Sequence, residues 1–484
     1  MGKQDKEFVK EITPRSQDYS QWYLDVVLKA QMMDYAPVKG CMVIRPYGYA
    51  LWENMQQGLD RRIKDTGHQN AYFPLFIPES LLQKEADHVE GFAPEVAWVT
   101  HGGNEKLTER LVVRPTSETI ICEMYSRWIQ SYRDLPVLIN QWCNVVRWEK
   151  VTRPFLRTTE FLWQEGHTAH RNEEEAEEET RKMLEVYRDF VENDLAVPVI
   201  CGQKTEKEKF AGALRTYSIE ALMSDGKALQ AGTSHNLGTH FAKVFDITYL
   251  DSDGELKYVW QTSWGVTTRL IGAIIMVHGD DRGLMLPPKV APIQAILIPI
   301  TPKKARKQVL SKAAEIFAVL KESGLRIEMD DREEYSPGWK FNEWEMKGVP
   351  LRIELGPRDL EAGQAVLVRR DNGEKETVAL SELTQYIPVL LEKIQTNMYQ
   401  KAKQFMEENT HRTDDYQEFK QIMEEKRGFL VAGWCGCVEC ENAVKEETKA
   451  TIRNIPFHLQ QEDPGRCIYC GQDGKHLVIF ARAY

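Results

Sequence analysis

The densest group of residues able to do chemistry lies between positions 141 and 170, in the run QWCNVVRWEKVTRPFLRTTEFLWQEGHTAH. Arg147 and Glu149 are two residues apart, and on a strand this spacing places both side chains on one face. A second row at the same spacing follows on the next predicted strand: Phe161, Trp163, Glu165 and His167. Arginine can grip a phosphate bidentately, and an aromatic face can stack on a flat base. The pattern therefore indicates one pocket that binds a phosphate and a planar ring.

A purely structural explanation competes with this one. Arg147 and Glu149 alone would as readily form an ion pair, and the aromatic residues would as readily fill a core. The loop between the two rows favours the binding interpretation, because it adds three more cations: Lys150, Arg153 and Arg157.

Three further segments carry polar residues that need an explanation. In RPTSE (114–118), Thr116 either caps the following helix, with Glu118 in its first turn, or belongs to a loop whose Glu118 binds a substrate ammonium. The spacing alone leaves both open. The small polar segment QAGTSH (230–235) lies just before a predicted strand at Phe241. The segment SWGVTTR (263–269) is predicted to be a turn leading into an apolar helix, where Arg269 can meet a triphosphate.

The cysteines are concentrated at the end of the chain. Five of the nine fall in the last 50 residues, in two close groups. Cys435 and Cys440 are five apart, and Cys467 and Cys470 form a CxxC pair. Four thiolates in two close pairs are typical of a tetrahedral structural zinc site. Cys437 is a spare that could replace either member of the first pair, and unliganded, packed cysteines are the alternative.

The composition excludes several other classes of protein. A chain of 484 residues with 42% hydrophobic and 28% charged residues is typical of a folded, multidomain protein, and its net charge of −11 gives no bulk positive field for nucleic acid. No P-loop, dinucleotide fingerprint, HExxH or GxSxG motif occurs. The polar start lacks the apolar core of a signal peptide, Lys6 breaks the lipidation pattern after Gly2, and apolar runs such as 270–277 are far short of the roughly 20 residues that cross a bilayer. We expect a soluble, cytoplasmic protein without a membrane partner.

The predicted elements divide the chain into three units, with a break at Pro287-Pro288. Residues 1–288 combine helices (18–32, 49–66, 118–131, 173–192) with directly consecutive strands (137–149 and 158–170; 241–250 and 257–261), which predicts an α+β domain on an antiparallel sheet. Residues 289–400 alternate strands (293–300, 325–329, 351–355, 365–370, 376–380) with helices (307–323, 339–347, 383–395), which predicts an α/β domain with a hairpin turn at Asp371-Asn372-Gly373. Residues 401–484, with the cysteine pairs, are predicted to form a separate small α+β zinc-binding unit.

Together these segments resemble the prolyl-tRNA synthetases, a family of class II aminoacyl-tRNA synthetases, in their archaeal and eukaryotic-like type. Residues 67–78 (GHQNAYFPLFIP) are similar to motif 1 of the class, which builds the dimer interface. Arg147-Trp148-Glu149 with the row from Phe161 is similar to motif 2, and residues 263–269 with LIGAIIMVHGDDRG are similar to motif 3. The RPTSE segment is similar to the family's proline-binding Thr-x-Glu loop. The resemblance extends over essentially the whole chain.

The resemblance implies a role for each site residue. Arg147 would contact the ATP α-phosphate and the proline carboxylate, and Arg269 would clamp the γ-phosphate, so these two are the expected catalytic residues. ATP would be held by Arg147, Glu149, Arg157, Thr158, Phe161, Gln230, Thr233, Thr267 and Arg269, with Gln230 also facing the magnesium that accompanies ATP. Proline would be held by Thr116, Glu118, Arg147, Trp163, Glu165, His167, Phe210, His235 and Ser263.

The resemblance also implies the domains, cofactors and partners. Residues 1–288 would be the class II catalytic domain, 289–400 the anticodon-binding domain and 401–484 the zinc-binding C-terminal domain. The expected reaction is ATP-dependent activation of L-proline to prolyl-adenylate and transfer of the prolyl group to the 3′ end of tRNA(Pro). A cytoplasmic homodimer would perform it with ATP, Mg²⁺ and a structural Zn²⁺. Only about 90 residues separate His170 from Ser263, which leaves no room for the large editing domain of bacterial-type relatives.

Three alternatives remain: a class II synthetase for another amino acid, a synthetase-like binding protein that has lost activation, and a generic zinc-binding scaffold. The Thr-x-Glu loop and the QEGHTAH row favour proline, and both motif arginines are present. Residues 291–400 carry 16 basic and 17 acidic side chains. We therefore expect tRNA binding to depend on local basic patches, such as Lys303, Lys304, Arg306 and Lys307, rather than on a global field.

Overall fold

The computed structural model describes residues 12–86 and 95–484, so the polar start with Gly2 and Lys6 lies outside the described residues. In the first 285 residues the helices are α1 (Tyr19–Lys29), α2 (Pro46–Asp65), α3 (Glu79–Ala86), α4 (Glu118–Trp128), α5 (Glu173–Asn193), α6 (His240–Phe245) and α7 (Arg269–His278). The strands are β1 (Met33–Tyr35), β2 (Met42–Ile44), β3 (Gln69–Asn70), β4 (Phe76–Pro78), β5 (Ala97–Gly102), β6 (Glu105–Val113), β7 (Val137–Val146), β8 (Glu160–His170), β9 (Val199–Gln203), β10 (Arg215–Leu222), β11 (Ala228–Gly238), β12 (Thr248–Leu250), β13 (Leu256–Tyr258) and β14 (Trp260–Thr267).

The first unit is built on an antiparallel sheet, as the consecutive strands predict. Its strands run in the order β9-β10-β11-β14-β8-β7-β3, and only the short pair β3–β7 is parallel. The long helix α5 covers one face. Asn172 caps α5 by accepting a hydrogen bond from the backbone N–H of Glu175, and three glutamates in the first turn suit the helix dipole. The acidic run at 173–179 is thus the start of an amphipathic helix.

The second unit is a small α/β domain, also as predicted. Its helices are α8 (Arg306–Glu322), α9 (Pro337–Met346), α10 (Pro357–Glu361) and α11 (Leu383–Glu408), and its strands are β15 (Ala295–Pro299), β16 (Ile327–Met329), β17 (Leu351–Leu355), β18 (Gln364–Arg369) and β19 (Lys375–Ala379). The sheet order is β16-β15-β17-β18-β19, with β15 parallel to both neighbours and β18–β19 forming the hairpin at Asn372-Gly373. Helix α11 extends 13 residues beyond the predicted end at Gln395.

The last unit comprises β20 (Thr410–Arg412), α12 (Tyr416–Gln421) with a π-helical turn (Ile422–Lys426), β21 (Phe429–Trp434), α13 (Val438–Thr448), β22 (Thr451–Pro456) and β23 (His476–Ala481). It has its own core but not its own sheet. Strand β22 pairs with β9, so β20-β21-β23-β22 extend the sheet of the first unit to eleven strands. The concentration of cysteines identified a distinct unit, but pattern alone did not reveal this continuous sheet.

Several local predictions were wrong. The predicted strand 241–250 is instead α6 followed by β12; the burial of Phe241, Ala242 and Phe245 has helical spacing, and Asp246 ends the helix in the left-handed region with φ of 56°. Residues 230–235 lie within β11 rather than before a strand, and 263–267 are the end of β14 rather than a turn. Strand β7 stops at Val146, one residue before Arg147. Within the described residues no helix is both long and apolar enough to cross a bilayer.

Candidate active site

One cavity of about 330 Å³ opens on the face of the eleven-stranded sheet where β8, β11 and β14 lie side by side. All seventeen residues that the sequence analysis assigned to proline and ATP line it: Thr116, Glu118, Arg147, Glu149, Arg157, Thr158, Phe161, Trp163, Glu165, His167, Phe210, Gln230, Thr233, His235, Ser263, Thr267 and Arg269. The structure thus brings together residues from five separate stretches of chain. Their individual roles stay predictions.

Strand register explains why so many of these side chains meet. His235, Ser263 and His167 lie directly opposite one another on β11, β14 and β8. The neighbouring row of the same face contains Thr233, Gly265 and Glu165. Because side chains alternate across a strand, both rows point to the same side of the sheet.

The floor of the cavity is rigid because Trp264 packs on the opposite face. Its indole lies against Gly166, where an added Cβ would meet the ring at 2.1 Å, and edge-on to Tyr187 of α5 at a centroid distance of 6.2 Å. Only glycine at position 166 permits this approach. The ring therefore holds β8 and β14 in register below the cavity.

Arg147 supplies positive charge directly after β7. Its Nε donates to the carbonyl oxygen of Pro115 over 3.0 Å, and its guanidinium carbon lies 5.6 and 5.5 Å from the ring centroids of Phe161 and Trp163. Enclosure by protein lowers the pKa of Arg147, and the carboxylates of Glu118, Glu165 and Glu149 act in the opposite direction. Among the described residues, no carboxylate oxygen lies within 4.0 Å of the Arg147 guanidinium, the limit for an ion pair. The terminal nitrogens of Arg147 therefore remain available to an anion.

Arg269 supplies the second charge at the start of α7. Its Nε donates to the carbonyl oxygen of Leu156 over 3.2 Å, and its backbone N–H donates to Thr267 Oγ1 over 3.0 Å. Enclosure by protein, together with the nearby cations Arg157 and Arg147, lowers the pKa of Arg269 to about 10. It too has no ion pair among the described residues. Two neighbouring arginines without a carboxylate partner, here Arg147 and Arg269, are typical of a site that is completed by a polyanion.

Glu118 supplies a carboxylate to the wall of the cavity. It is the first residue of α4 and is buried, and Thr116 Oγ1 donates to its Oε2. Ser117, not Thr116, is the N-cap residue, and it makes no side-chain capping bond. The interpretation of Thr116 as a helix cap is therefore wrong. The arrangement is consistent with the other interpretation, a carboxylate that binds an ammonium.

Glu165 and His167 form a buried pair beside Glu118. The Oε1 of Glu165 accepts from Ser117 Oγ at 2.5 Å and from Gln141 Nε2 at 2.9 Å, while its Oε2 lies 2.9 Å from His167 Nε2. Burial would raise the pKa of Glu165, but these partners, His167 first, hold it below its usual range. Burial would lower the pKa of His167, but the Glu165 carboxylate, with Glu118, raises it.

His235 forms a neutral wall of the cavity. Burial, with a smaller contribution from the nearby His167, lowers its pKa to about 3. Its Nδ1 lies 2.9 Å from Thr216 Oγ1, and its ring lies 4.8 Å from the ring of Phe210. On the neighbouring strand β14, Ser263 lies opposite His235; its Oγ is buried and has no hydrogen-bond partner among the described residues. An unpartnered hydroxyl facing a cavity is a ready contact for a polar ligand.

Sequence reasoning missed the loop that follows β9. Glu208 and Lys209 line the cavity beside Phe210, and Lys209 Nζ pairs with Glu206 at 2.6 Å. The run KTEKEK has the composition of an ordinary solvated loop, so no motif singles it out. Conversely, two cations of the 150–157 loop do not line the cavity: Lys150 pairs with Glu95 at 3.2 Å, and Arg153 lies over the rings of Tyr23 and Tyr484.

The four predicted zinc ligands come together in the C-terminal unit. Their sulfurs, from Cys435, Cys440, Cys467 and Cys470, all lie within 4.8 Å of one another. The distances Cys435–Cys440 and Cys470–Cys435 are 3.7 and 3.8 Å, which match the sulfur separation of about 3.8 Å around a tetrahedral Zn²⁺ with bonds of ~2.3 Å.

Cys437 lies outside the cysteine cluster, because its sulfur contacts Glu439 Oε2 at 2.6 Å. Within the cluster, burial opposes ionisation of Cys467, but backbone N–H groups, first that of Cys470, lower its pKa to about 7. The donor set fits zinc, and it does not include Cys437.

Family models match three parts of the chain. Residues 98–278 match the tRNA synthetase class II core domain (G, H, P, S and T), residues 294–390 match the anticodon binding domain, and residues 416–484 match the C-terminal domain of prolyl-tRNA synthetase. The matches follow the same order as the three units described above.

Whole proteins of the same kind are also similar. The chain is 68% identical to a proline–tRNA ligase of Natranaerobius thermophilus and 62% identical to one of Symbiobacterium thermophilum, covering 100% of both sequences in each case. Among solved structures, it is similar to prolyl-tRNA synthetase from Cryptosporidium parvum complexed with halofuginone and AMPPNP. That comparison gives a TM-score of 0.93 and 43% identity over 98% of this chain and 100% of the other.

Proposed function

The chain belongs to the prolyl-tRNA synthetase family, and we propose that it activates L-proline with ATP and transfers the prolyl group to the 3′ end of tRNA(Pro). The observation that carries the proposal is the pairing, in one cavity, of two arginines without carboxylate partners and a buried acidic wall. The arginines would bind the phosphates of ATP, and the acidic wall would bind the ammonium group of proline.

Arg147 and Arg269 are the catalytic residues of this proposal. In activation, a carboxylate oxygen of proline forms a bond to the α-phosphorus of ATP while the bond to the diphosphate oxygen breaks. Two anions have to approach each other, so fixed positive charge lowers the barrier by orientation and by electrostatic stabilisation. Arg147 would bridge the α-phosphate and the proline carboxylate, and Arg269 would hold the γ-phosphate. The reaction requires no nucleophile from the protein.

The proline pocket would lie between the acids and the rings. Glu118, supported by Thr116, would accept the ammonium, while Trp163, Phe210 and neutral His235 would enclose the ring methylenes. The unpartnered hydroxyl of Ser263 and the charged pair Glu165–His167 would complete the wall. An apolar enclosure with a few fixed polar groups suits a small amino acid.

The rest of the cavity would hold the nucleotide. Phe161 offers a ring for the base, and Glu149, Arg157, Thr158, Thr233 and Thr267 offer polar contacts. The Cryptosporidium parvum structure holds AMPPNP, an ATP analogue, which supports ATP as the nucleotide. Magnesium, which accompanies ATP, neutralises phosphate charge when bound. The amide oxygen of Gln230 fits it as a single protein ligand, since this ion usually keeps phosphate and water oxygens.

Two features of the proposal concern the other units. Structural zinc would be held by Cys435, Cys440, Cys467 and Cys470, whose sulfur spacing fits that ion. The unit at 289–400 would bind the anticodon stem. Its exposed residues Lys303, Lys304 and Lys307 are candidates for phosphate contacts, whereas Arg306 pairs with Glu333.

Homodimerisation and a cytoplasmic location complete the proposal. In the motif 1 segment, the side chains of Tyr72 and Phe76 are 73% and 45% exposed. Large apolar residues exposed near each other are common at subunit interfaces. The location follows from the need of protein synthesis for the product.

Charging of tRNA tests the function as a whole. The purified protein, incubated with ATP, Mg²⁺ and radiolabelled proline, should label a tRNA(Pro) transcript. It should leave unlabelled a transcript whose anticodon has been replaced by that of another amino acid. Labelling of both transcripts to equal extents would refute the anticodon assignment, and labelling of neither would refute the proposed reaction.

A further inference from the structure

The loop between β9 and β10, residues 204–214, reaches the cavity from the side of the C-terminal unit. It contributes Glu208, Lys209 and Phe210 to the cavity wall. Phe210 is tied inward, because its backbone N–H donates to Thr216 Oγ1 over 3.0 Å and its ring lies against His235. The conformation of this loop therefore decides the shape of the proline side of the site.

Its outer side is fastened to the C-terminal unit at three points. Thr205 Oγ1 donates to Glu441 Oε1 over 3.1 Å. Lys207 Nζ donates to Asn442 Oδ1. Lys204 Nζ donates to the backbone carbonyl of Arg453 over 2.6 Å. Each contact joins residues more than 230 positions apart in sequence, so none of them forms through local folding alone.

The inner fastening is a buried ionic network. Glu220 of β10 lies fully buried between two cations: its Oε1 accepts from Lys204 Nζ at 2.7 Å, and its Oε2 accepts from Arg453 Nη2 at 3.0 Å. Loss of one member of such a network leaves another charge buried and unpaired, which strongly destabilises the fold. The network therefore holds its members in place. The network fixes Lys204 at the start of the loop, while Glu441 and Asn442 hold Thr205 and Lys207 just after it.

Thr205 also orders the loop internally. The backbone N–H groups of Glu208 and Lys209 donate to the carbonyl oxygen of Thr205 over 3.1 and 3.0 Å. Thr205 is therefore the residue through which Glu441 reaches the stretch that carries Lys209 and Phe210. Without the Glu441 contact, this turn would keep its own hydrogen bonds and the contact of Lys207 with Asn442.

We propose that Glu441 and Asn442 of the C-terminal unit are positioning residues for proline binding: they hold the 204–214 loop so that Phe210 closes the proline side of the cavity. The proposal rests on the function proposed above. It gives the C-terminal unit a role in the reaction that does not require it to touch a substrate. Helix α13, which carries both residues, also carries Cys440, so the cysteine cluster and the loop are joined by one rigid element.

The test compares Glu441→Ala with Glu441→Gln and with a control. The alanine variant removes the acceptor of the Thr205 hydroxyl, and the KM for proline in ATP–diphosphate exchange should rise roughly three- to tenfold, as expected for one lost hydrogen bond. The kcat and the KM for ATP should stay within about twofold. The glutamine variant keeps an acceptor oxygen and should behave like the wild type. Glu446→Ala, an exposed change on the same helix, should have no effect.

Thr205→Val carries the test from the other side and leaves the C-terminal unit intact. It should reproduce the rise in the KM for proline, although it also removes the hydrogen bond of 3.3 Å from the Glu208 N–H to Thr205 Oγ1. The double variant should be no worse than Thr205→Val alone, because that variant already lacks the contact with Glu441. Hydrogen exchange should become faster at the amides of Glu208 and Lys209 but not in β10.

Wild-type proline KM and wild-type loop protection in both Glu441→Ala and Thr205→Val would overturn the proposal, and so would an equal loss for proline, ATP and kcat. A wild-type protein without proline-dependent exchange would instead refute the proposed function.

Discussion

The carboxylate of Glu165 and the imidazole of His167 lie 2.9 Å apart on the same face of one strand, both buried at the wall of the cavity. Ser117 and Gln141 satisfy the other oxygen of Glu165, so the pair is held from two sides. Each partner keeps the other charged in a place where burial alone would neutralise both. The pair is therefore a fixed polar element of the cavity wall.

This pair predicts a pH-dependent stability. The pKa of His167 is raised above 6.5, so its contribution is full below pH 6.5 and is lost as the pH rises through the folded value. The pKa of Glu165 is lowered below 4.5, so its contribution is present above pH 4.5 and is lost as the pH falls. Urea unfolding should show that His167→Gln costs about 3 kcal/mol at pH 6 and less at pH 9.

The exposed His101→Gln is the control for that experiment and should change the free energy of unfolding by less than about 0.5 kcal/mol at either pH. An equal cost of His167→Gln at pH 6 and pH 9 would contradict the charged pair.

Arg147→Ala should reduce proline-dependent ATP–diphosphate exchange by about a thousandfold, because it removes the charge that bridges two anions. The predicted dimer should persist in gel filtration, since the side chain of Arg147 contacts Pro115, Phe161 and Trp163 of its own chain. The surface variant Arg127→Ala removes a helical ion pair with Glu123 and should stay within about twofold of wild type. Turnover by Arg147→Ala within tenfold of wild type would reject its catalytic role.

The cysteine cluster predicts a difference between two neighbouring cysteines. The wild type and Cys437→Ser should each contain one zinc per chain by atomic absorption, because Cys437 faces Glu439 instead of the cluster. Cys440→Ser should lose the metal and unfold at a lower temperature, since binding of a structural zinc contributes to folding free energy. Equal zinc content in both variants, or its absence from the wild type, would refute the four-cysteine assignment.

The segment between His170 and Ser263 predicts an absence of editing. Its helices α5 and α6 and strands β9 to β13 belong to the catalytic unit, and no separate domain is formed by residues 171–262. Purified protein should therefore release alanine from alanyl-tRNA(Pro) no faster than buffer does. Rapid release by the pure protein would show that this cavity, or another, is hydrolytic.

Much of this site was predictable because its signals are local. The spacing of two from Phe161 to His167 survives in the structure as one face of β8, and the CxxC pair as half of the cysteine cluster. The hairpin turn at Asn372-Gly373 likewise depends on a few adjacent residues. Alternation and turn chemistry report such features directly.

What could not be predicted depends on contacts between distant residues. Nothing near Pro456 indicates that β22 pairs with β9, and nothing near Lys204 indicates that its ammonium is buried against Glu220. The predicted strand at 241–250 was wrong because the spacing of Phe241 and Phe245 fits both the period of a helix and that of a strand. In so short a segment, tertiary packing determines which of the two forms. Tertiary contacts outweigh weak local preferences in such segments.

The central claim is that this cavity activates proline with ATP. ATP–diphosphate exchange with a panel of amino acids, including alanine, cysteine, serine, threonine, glycine and histidine, tests it most directly. We predict exchange with proline at a higher kcat/KM than with each of the others. No exchange with proline, or equal efficiency with another amino acid, would contradict the account.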